Sequence, residues 1–411
     1  MTYSRYVSTD QPAMSDPKEP SGAPEPAVSD PVDILGFDPF DREFLRDPYA
    51  RYRELSARGA LFRTRAGLLV ATTHELCATL LRDPRFGRGS GRPTGGEPGQ
   101  PTPSFLWLDP PDHTRLRALV SRAFTPRMIE RLRPRVEAIT ASLIRELPEE
   151  ADLVSGLAYP LPVMVISEML GVPQEDHERF RGWSEKLARG LDPMLTADLL
   201  SETGRARREF GDYFRELAAI RRERPGDDLL SALTAVRELT EAELLATCVL
   251  LLVAGHETTV NLIANGVLAL LRHGLLPHAA ERPGQVVEEV LRYDPPVQLT
   301  SRVALEDVTL GGTPVPAGAP VMAVIGAANR DPAVFPDPGR FDVTRSPERH
   351  LAFGLGIHFC LGATLARMEG EIALSALASA VPGLELADPD PPYKENLVLR
   401  GLASLPVRVK R

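Results

Sequence analysis

A long helical segment between residues 240 and 272 limits the folds open to this chain more than any other feature. Residues 240–243, Thr-Glu-Ala-Glu, form a capping box, which is a typical helix start. Helical periodicity then continues for some 32 residues, which corresponds to a length of roughly 48 Å. Because residues 244–253 are almost wholly apolar, we predict that this helix is buried and crosses the whole molecule.

A polar segment, Ala-Gly-His-Glu-Thr-Thr, interrupts this helix at residues 254–259. Burying polar groups costs free energy unless they form hydrogen bonds. A threonine in the middle of a helix can donate to the carbonyl four residues earlier, and this hydrogen bond can loosen the helix. His256 and Glu257 do not complete the H-E-x-x-H motif of zinc peptidases, because position 260 is valine. A kinked core helix remains the plain structural alternative.

The second informative segment is a glycine-rich loop that ends in a cysteine, Phe-Gly-Leu-Gly-Ile-His-Phe-Cys-Leu-Gly at residues 353–362. Its glycines allow a tight backbone and close approach to a flat ligand. A helical pattern follows at residues 361–377, and its free N–H groups are expected to lower the pKa of the Cys360 thiol. Phe359 occupies the position of the third glycine of a dinucleotide-binding loop, and no second Cys/His pair supports a zinc site. An inert buried cysteine is the remaining alternative.

Two further segments carry charged residues at helical spacing. The sequence Asp-Pro-Pro-Asp at residues 109–112 predicts a helix start with proline in the first turn, which places His113 and Arg117 on one face. Glu289 and Arg292 form an i, i+3 pair near the end of another helical segment. A solvated polar face would explain either pair by itself.

Taken together, four segments resemble the cytochrome P-450 superfamily and occur in the order of that family. They are D-P-P-x-H-x-x-x-R, A-G-x-E-T-T, E-x-x-R and F-G-x-G-x-H-x-C-x-G, starting at residues 109, 254, 289 and 353. The resemblance covers residues 31–411. It implies a mainly α fold with small β-sheets, a triangular helical prism around haem, in a single haem-thiolate monooxygenase domain. Residues 1–30, rich in proline and acidic residues, are expected to be a disordered leader.

The resemblance also implies a haem b site. Cys360 would be the axial thiolate of the iron, and Gly362 would leave room for the porphyrin. The residues implied to contact the haem propionates are His113, Arg117, Arg302 and His358, and Phe353 and Gly354 belong to the same cofactor-binding loop.

Glu257 and Thr258 match the proton-delivery residues of the family, so the implied reaction is monooxygenation with O2. Electrons would come from NAD(P)H through a ferredoxin reductase and a ferredoxin. Seven arginines against one acid between residues 113 and 135 suggest an acidic partner there. A peroxide-driven peroxygenase and a non-catalytic haem sensor or carrier are the alternatives.

Two further residue sets follow from the resemblance. The buried triad that supports the cysteine loop would be Glu289, Arg292 and Arg340, with two arginines sharing one carboxylate. The candidate substrate-pocket residues are Leu106, Trp107, Leu250, Val253, Ala254, Val297, Leu299 and Leu399. The helix motif resembles that of actinomycete enzymes that tailor macrolides, so a large hydrophobic natural product made for antibiotic biosynthesis is the expected substrate.

Composition limits the partners and the compartment. The net charge of −9 argues against nucleic acid, and three cysteines cannot form a disulfide framework, which favours a reducing cytoplasm. No apolar run is expected to cross a membrane.

We also predict several local elements: a hairpin at residues 61–73, an irregular loop at 87–103, a pocket lid at about 180–200, strands with a turn at 311–312, and a last strand pair at 397–409. The connection at 274–285 is shorter than in relatives.

Overall fold

Helices dominate the computed structural model, which describes residues 37–89, 102–189, 197–346 and 349–410. The α-helices are α1 (Arg42–Arg46), α2 (Pro48–Ala57), α3 (His74–Arg82), α4 (Asp112–Ala123), α5 (Pro126–Glu146), α6 (Pro160–Met169), α7 (His177–Arg189), α8 (Ala197–Glu223), α9 (Leu229–Thr234), α10 (Glu241–Arg272), α11 (Leu276–Glu281), α12 (Pro283–Tyr293), α13 (Ile325–Ala328) and α14 (Ala363–Ala380). The strands are β1 (Leu61–Arg63), β2 (Leu69–Ala71), β3 (Phe86–Gly87), β4 (Glu150–Asp152), β5 (Leu299–Ala304), β6 (Val308–Leu310), β7 (Thr313–Val315), β8 (Pro320–Val324), β9 (Glu385–Leu386) and β10 (Pro406–Arg408). The predicted mainly α architecture with small sheets is confirmed.

The long central helix is α10, and its start is the predicted capping box. The Thr240 hydroxyl accepts the backbone N–H of Glu243 at 3.3 Å, and the Glu243 carboxylate accepts the N–H of Thr240 at 3.0 Å. The helix packs against α6, α8, α12 and α14, which makes it the axis of the largest apolar core. Gly274, with φ of +67°, follows its end in the left-handed conformation that favours glycine.

By length and composition α10 is also apolar enough to span a bilayer, with a mean hydropathy of 1.4 over its most apolar window. The expectation that no segment reaches this limit is therefore wrong for α10. Because 67% of that window is buried inside the protein, the helix has the character of a core helix.

Three small sheets flank the helices. The largest has the order β1-β2-β8-β5-β3, with β2 and β8 parallel and the other neighbours antiparallel. The hairpin β1–β2 and the hairpin β6–β7, which turns at residues 311–312, agree with the sequence-based predictions. Strand β3 pairs with β5 through Gly87 and Val303, and this pairing brings the segment after β3 beside Arg302.

The predicted strand pair at residues 397–409 is wrong. Strand β10 is instead the middle strand of a three-stranded sheet between β4 and β9. The segment before it forms isolated bridges, Tyr393 with Leu402 and Val297 with Leu399. The local pattern could not show this, because the partner strand β4 lies about 250 residues earlier.

Several predictions fall wholly or partly outside the described residues. These are the leader at 1–30, most of the loop at 87–103 and the middle of the lid at 180–200. The short connection at 274–285 contains the small helix α11. The two prolines at 110 and 111 precede α4 and do not lie in its first turn.

Candidate functional site

The cysteine loop is held by its own backbone and by contact with α3. The Cys360 N–H donates to the Phe353 carbonyl at 2.9 Å. Gly354 and Gly356 have φ of +67° and +69°. A Cβ on Gly356 would lie 2.5 Å from the Leu81 carbonyl at the end of α3, so glycine is required for this close approach.

Electrostatics around the Cys360 sulfur differ from the sequence-based expectation. Burial raises the pKa of the Cys360 thiol, although the Gly362 N–H and the guanidinium groups of Arg117 and Arg367 favour the thiolate. The expected net lowering of this pKa is therefore wrong for the protein alone, because burial outweighs the Gly362 N–H at the start of α14. A bound metal ion would deprotonate the thiol outright, which is the chemistry that the half-buried Cys360 fits.

A cluster of cationic and imidazole groups lies next to the loop. The ring centroids of His113 and His358 are 4.4 Å apart. Burial, followed by repulsion from Arg88, Arg302, His113 and Arg117, lowers the pKa of His358 to about 3. Burial and the neighbouring Arg88 likewise lower the pKa of Arg302 to about 9. Burial also lowers the pKa of Arg88 to about 10, against the attraction of Asp109.

This cluster fits the two carboxylates of a haem. Both ring nitrogens of His358 are buried and have no hydrogen-bond partner within the described parts of the chain. Buried cations and unsatisfied donors are stabilised by anions that accept hydrogen bonds. The structure thus brings His113, Arg117, Arg302 and His358 together beside Cys360, as a haem with two propionates would require.

Sequence reasoning missed Arg88, which belongs to this cluster. Its backbone N–H donates to the Asp109 carboxylate at 2.7 Å, and its guanidinium lies 5.3 Å from the ring centroid of Trp107. A Cβ on Gly87 would lie 2.4 Å from the same carboxylate, so glycine lets the two segments meet. A strand of two residues leaves no periodicity, and no sequence signal could have identified Arg88.

The polar segment of α10 lies within an unbroken α-helix. The Thr258 hydroxyl donates to the Ala254 carbonyl at 3.0 Å, as predicted from the sequence. His256 is fully buried; its Nδ1 donates to the Leu252 carbonyl at 2.8 Å, and its Nε2 lies 2.9 Å from the Ser184 hydroxyl on α7.

Glu257 is buried and forms an ion pair with Lys394, whose Nζ lies 2.5 Å from its Oε1. Lys394 comes from the chain 137 residues later and was missed by sequence reasoning. It follows β9 in a loop without a local motif, so its approach to α10 depends on the tertiary fold.

The buried acid–base network behind the loop contains Glu289 and Arg292 as predicted, but not the side chain of Arg340. Arg292 binds both carboxylate oxygens of Glu289 at 2.7 Å, and it donates to the backbone carbonyl of Arg340 at 3.0 Å. Arg340 itself is exposed. The second guanidinium at Glu289 is that of Arg345, at 3.6 Å. The prediction of two arginines at one carboxylate holds, and the correction concerns which arginine supplies the second charge.

A second ionic network supports Phe353. Arg367 and His350 both contact the Glu288 carboxylate, at 2.5 and 3.1 Å. Burial alone would raise the pKa of Glu288, but these hydrogen bonds lower it to about 2. The Arg367 guanidinium also lies 4.5 Å from the ring centroid of Phe353, so this network fixes the aromatic residue at the start of the loop.

The predicted pocket residues fall into two groups. Val253, Leu299 and Leu399 are buried, and the bridge between Val297 and Leu399 places the C-terminal segment beside the start of β5. The others are more accessible: Leu106 and Leu250 are half-buried, and Ala254 and Trp107 are exposed. Their assignment to a substrate pocket stays a prediction.

The arginine-rich segment at residues 113–135 is less positive than its sequence suggests. Acidic residues from distant segments pair with three of its arginines: Arg115 with Glu243, Arg131 with Asp227 and Arg135 with Glu168. Arg133 pairs with Glu130, and Arg117 donates to the Phe359 carbonyl at 2.6 Å. Arg122 and Arg127 are exposed on α4 and α5.

Comparisons with known proteins agree with this geometry. The family model "Cytochrome P450" matches residues 284–380. Cytochrome P450 monooxygenase PikC of Streptomyces venezuelae is 42% identical over 402 residues, which cover 92% of this chain and 95% of PikC. 6-deoxyerythronolide B hydroxylase of Saccharopolyspora erythraea is 45% identical over 315 residues, which cover 73% of this chain and 76% of that enzyme.

Solved structures show the same fold. The Bacillus subtilis 168 bacillaene polyketide synthase cytochrome P450 PksS matches with a TM-score of 0.83 and 40% identity, covering 91% of this chain and 100% of PksS. P450BioI, solved with an acyl carrier protein that carries hexadec-9Z-enoic acid, matches with a TM-score of 0.84 and 39% identity, covering 89% of this chain and 99% of P450BioI. The fold predicted from the four motifs is therefore confirmed.

Proposed function

The chain belongs to the cytochrome P450 family and is a monooxygenase, and we propose that it hydroxylates or epoxidises a large hydrophobic natural product of the polyketide or macrolide type. The observation that carries the proposal is the half-buried Cys360 beside a cluster of arginine and histidine side chains, in which both ring nitrogens of His358 have no hydrogen-bond partner among the described residues. The substrate class is supported by relatives such as 6-deoxyerythronolide B hydroxylase and the polyketide enzyme PksS. Secondary-metabolite biosynthesis in the cytoplasm is the proposed setting.

The chain's own residues would hold the cofactor from two sides. Cys360 would ligate the iron of haem b, and Gly362 would leave space beside the sulfur, from which its Cβ position lies 4.0 Å. His113, Arg117, Arg302, His358 and the additional Arg88 would bind the propionates by charge and hydrogen bonds. Bound haem supplies the oxygen-activating chemistry, and the protein supplies ligation, orientation and control of water.

Proton delivery is proposed for Glu257 and Thr258. The Thr258 hydroxyl donates its proton to the Ala254 carbonyl, so its lone pairs are free to accept a hydrogen bond from water. Glu257 is the neighbouring acid that exchanges protons with solvent. A peroxide-driven enzyme would have no use for this pair, which is why we favour the O2-dependent reaction over a peroxygenase, and turnover separates it from a sensor.

Electrons are proposed to come from NAD(P)H through a ferredoxin reductase and a ferredoxin. The exposed Arg122 lies on α4, the helix of Arg117, and the exposed Arg127 lies at the start of α5. The Arg117 side chain contacts the cysteine loop. An acidic ferredoxin would be attracted to these charges, and the attraction would weaken with salt.

The test has two stages. Reduced, carbon-monoxide-treated holoenzyme should show the red-shifted Soret band of thiolate ligation, and a Cys360→Ser control should lose it. A panel led by 6-deoxyerythronolide B and other macrolactones should then give spin-state shifts, NADPH consumption with a ferredoxin system, and oxygenated product. Turnover of hexadec-9Z-enoic acid, free or bound to an acyl carrier protein, with none of any macrolactone would refute the natural-product proposal.

A further inference from the structure

Lys394 is an unusual residue for this chain. Only four of the 47 basic side chains are lysines, at positions 18, 186, 394 and 410. Lys394 is the lysine that pairs with Glu257, and the two side chains are 29% and 11% exposed. A lysine ammonium is a compact charge whose three donors rotate freely, whereas arginine presents a fixed fork and stays protonated. The ion pair between Lys394 and Glu257 can therefore break more easily than a two-pronged ion pair with arginine.

A short hairpin holds Lys394 in position. The Lys394 N–H donates to the Gly401 carbonyl at 2.9 Å, and Tyr393 is bridged to Leu402. At the other end of the hairpin, the Asn396 side chain accepts the N–H groups of residues 398 and 399, at 2.9 and 2.7 Å. The segment is thus an ordered element with Lys394 at its base.

This hairpin lies along a polar face of α10. Glu257, Asn261 and Asn265 are spaced four residues apart and share that face. Asn265 donates to the Arg400 carbonyl at 3.1 Å. A Cβ on Gly401 would lie 1.8 Å from the Asn261 side-chain oxygen, so the hairpin backbone lies directly against this amide.

Asn261 provides a second polar group one turn from Glu257. Its side chain is fully buried, and neither amide atom has a hydrogen-bond partner in the described part of the chain. A buried amide of this kind needs a partner, and a water molecule or a reoriented carboxylate would satisfy it. His256 does not compete as a cation for Glu257, because burial lowers the pKa of its imidazole.

Lys394 lines a small surface cleft whose cavity volume, about 10 Å³, is roughly the space of one water molecule. Its polar lining consists of Tyr52, Gln298, Lys394, Asn396, Arg400 and the backbone of Gly401. The side-chain oxygens of Tyr52 and Gln298 are buried and have no hydrogen-bond partner among the described residues. Polar groups in these positions suit ordered water, and Lys394 both lines this cleft and contacts Glu257.

We propose that Lys394 is a positioning residue that controls when Glu257 takes up a proton from the cleft. While the ion pair is closed, Glu257 stays a carboxylate in a single orientation. When the pair opens, the carboxylate takes a proton from cleft water, with Asn261 as its alternative hydrogen-bond partner. Passing this proton towards Thr258 restores the carboxylate, which pairs with the Lys394 ammonium again. The inference rests on the proposed proton-delivery role of Glu257.

Amine labelling of the substrate-free holoenzyme tests the ion pair without any turnover. A soluble acetylating reagent should modify Lys394 about tenfold more slowly in the wild type than in Glu257→Gln, which corresponds to about 1.4 kcal/mol. Lys186, which is exposed, and Lys410, whose ion pair with Glu385 is 57% and 53% exposed, are internal controls that should react equally in both proteins. Equal labelling of Lys394 in the two proteins would refute the proposal.

Two variants at the same position test the control of protons. Lys394→Met should leave the thiolate Soret band and the substrate-induced spin shift unchanged, but it should lower product formed per NADPH several-fold. Lys394→Arg keeps the charge but replaces the rotating ammonium with a fixed fork, so it should restore the coupling only in part. Coupling in Lys394→Met equal to that of the wild type would overturn the inference. A wild type without oxygenated product would instead refute the proposed function, whatever the labelling result.

Discussion

Replacing Arg292 by methionine should destabilise the protein far more than the same change at Arg345 or Arg340. Arg292 is buried and binds both oxygens of Glu289, whose side chain is 3% exposed. It also donates to the carbonyls of Asn329, Pro338 and Arg340 at 3.2, 2.9 and 3.0 Å. Removing it leaves a buried carboxylate that keeps the Asp342 N–H at 2.8 Å but has only the more distant Arg345 guanidinium, at 3.6 Å, as a described cationic partner. Breaking a buried pair in this way costs about 3–5 kcal/mol.

Two matched variants, Arg345→Met and Arg340→Met, serve as controls for the loss expected in Arg292→Met. Arg345→Met removes a guanidinium that is 15% exposed and 3.6 Å from Glu289, so we expect a loss of about 1 kcal/mol. Arg340→Met changes an exposed side chain and keeps the backbone carbonyl that Arg292 binds, so we expect a change within about 0.5 kcal/mol.

Thermal unfolding followed by far-ultraviolet circular dichroism, together with the thiolate Soret band, measures these effects. With an unfolding entropy of about 2.1 cal/mol/K per residue, 3–5 kcal/mol corresponds to a decrease in Tm of roughly 3–6 °C for 411 residues. Arg345→Met should lower Tm by about 1 °C on the same scale. If Arg340→Met proved as damaging as Arg292→Met, the assignment of Arg345 as the second cation would be refuted.

Three further predictions concern the helix α10, the helix α14 and the hairpin beside them. Thr258→Ala should lower product per NADPH on the order of 10²-fold, because positioned proton transfer contributes at least about this factor; unchanged coupling would remove this residue from the mechanism. Burial raises the pKa of Glu369 to about 8, so the folded state keeps a proton that the unfolded state has lost, and stability should fall by about 1.4 kcal/mol per unit as pH rises from 4.5 to 8. Urea unfolding of Glu369→Gln should show little of this decline, and an identical pH profile would contradict the burial argument. Gly401→Ala should cost about 1–3 kcal/mol because its Cβ would overlap Asn261, whereas Gly339→Ala, which has no atom within 4 Å of the added Cβ, should change the unfolding midpoint little.

The sequence by itself determined the elements whose causes are local. The capping box and the apolar run of α10 predicted its start and its length, because capping and helical periodicity depend on residues within a few positions of each other. The glycines of the cysteine loop and the Thr258 back-bond to Ala254 are local in the same sense. The four motifs identified the family, and with it the residues around Cys360.

The tertiary structure decided which distant side chains complete these local elements. Arg88 joins the histidines through a strand of two residues, Arg345 takes the position expected for Arg340, and Lys394 reaches Glu257 from 137 residues away. The sign of the pKa shift at Cys360 also followed from burial, which no local pattern reports. Ion pairs and desolvation depend on distances in space between segments far apart in the chain, and those distances exist only once the helices and sheets have packed.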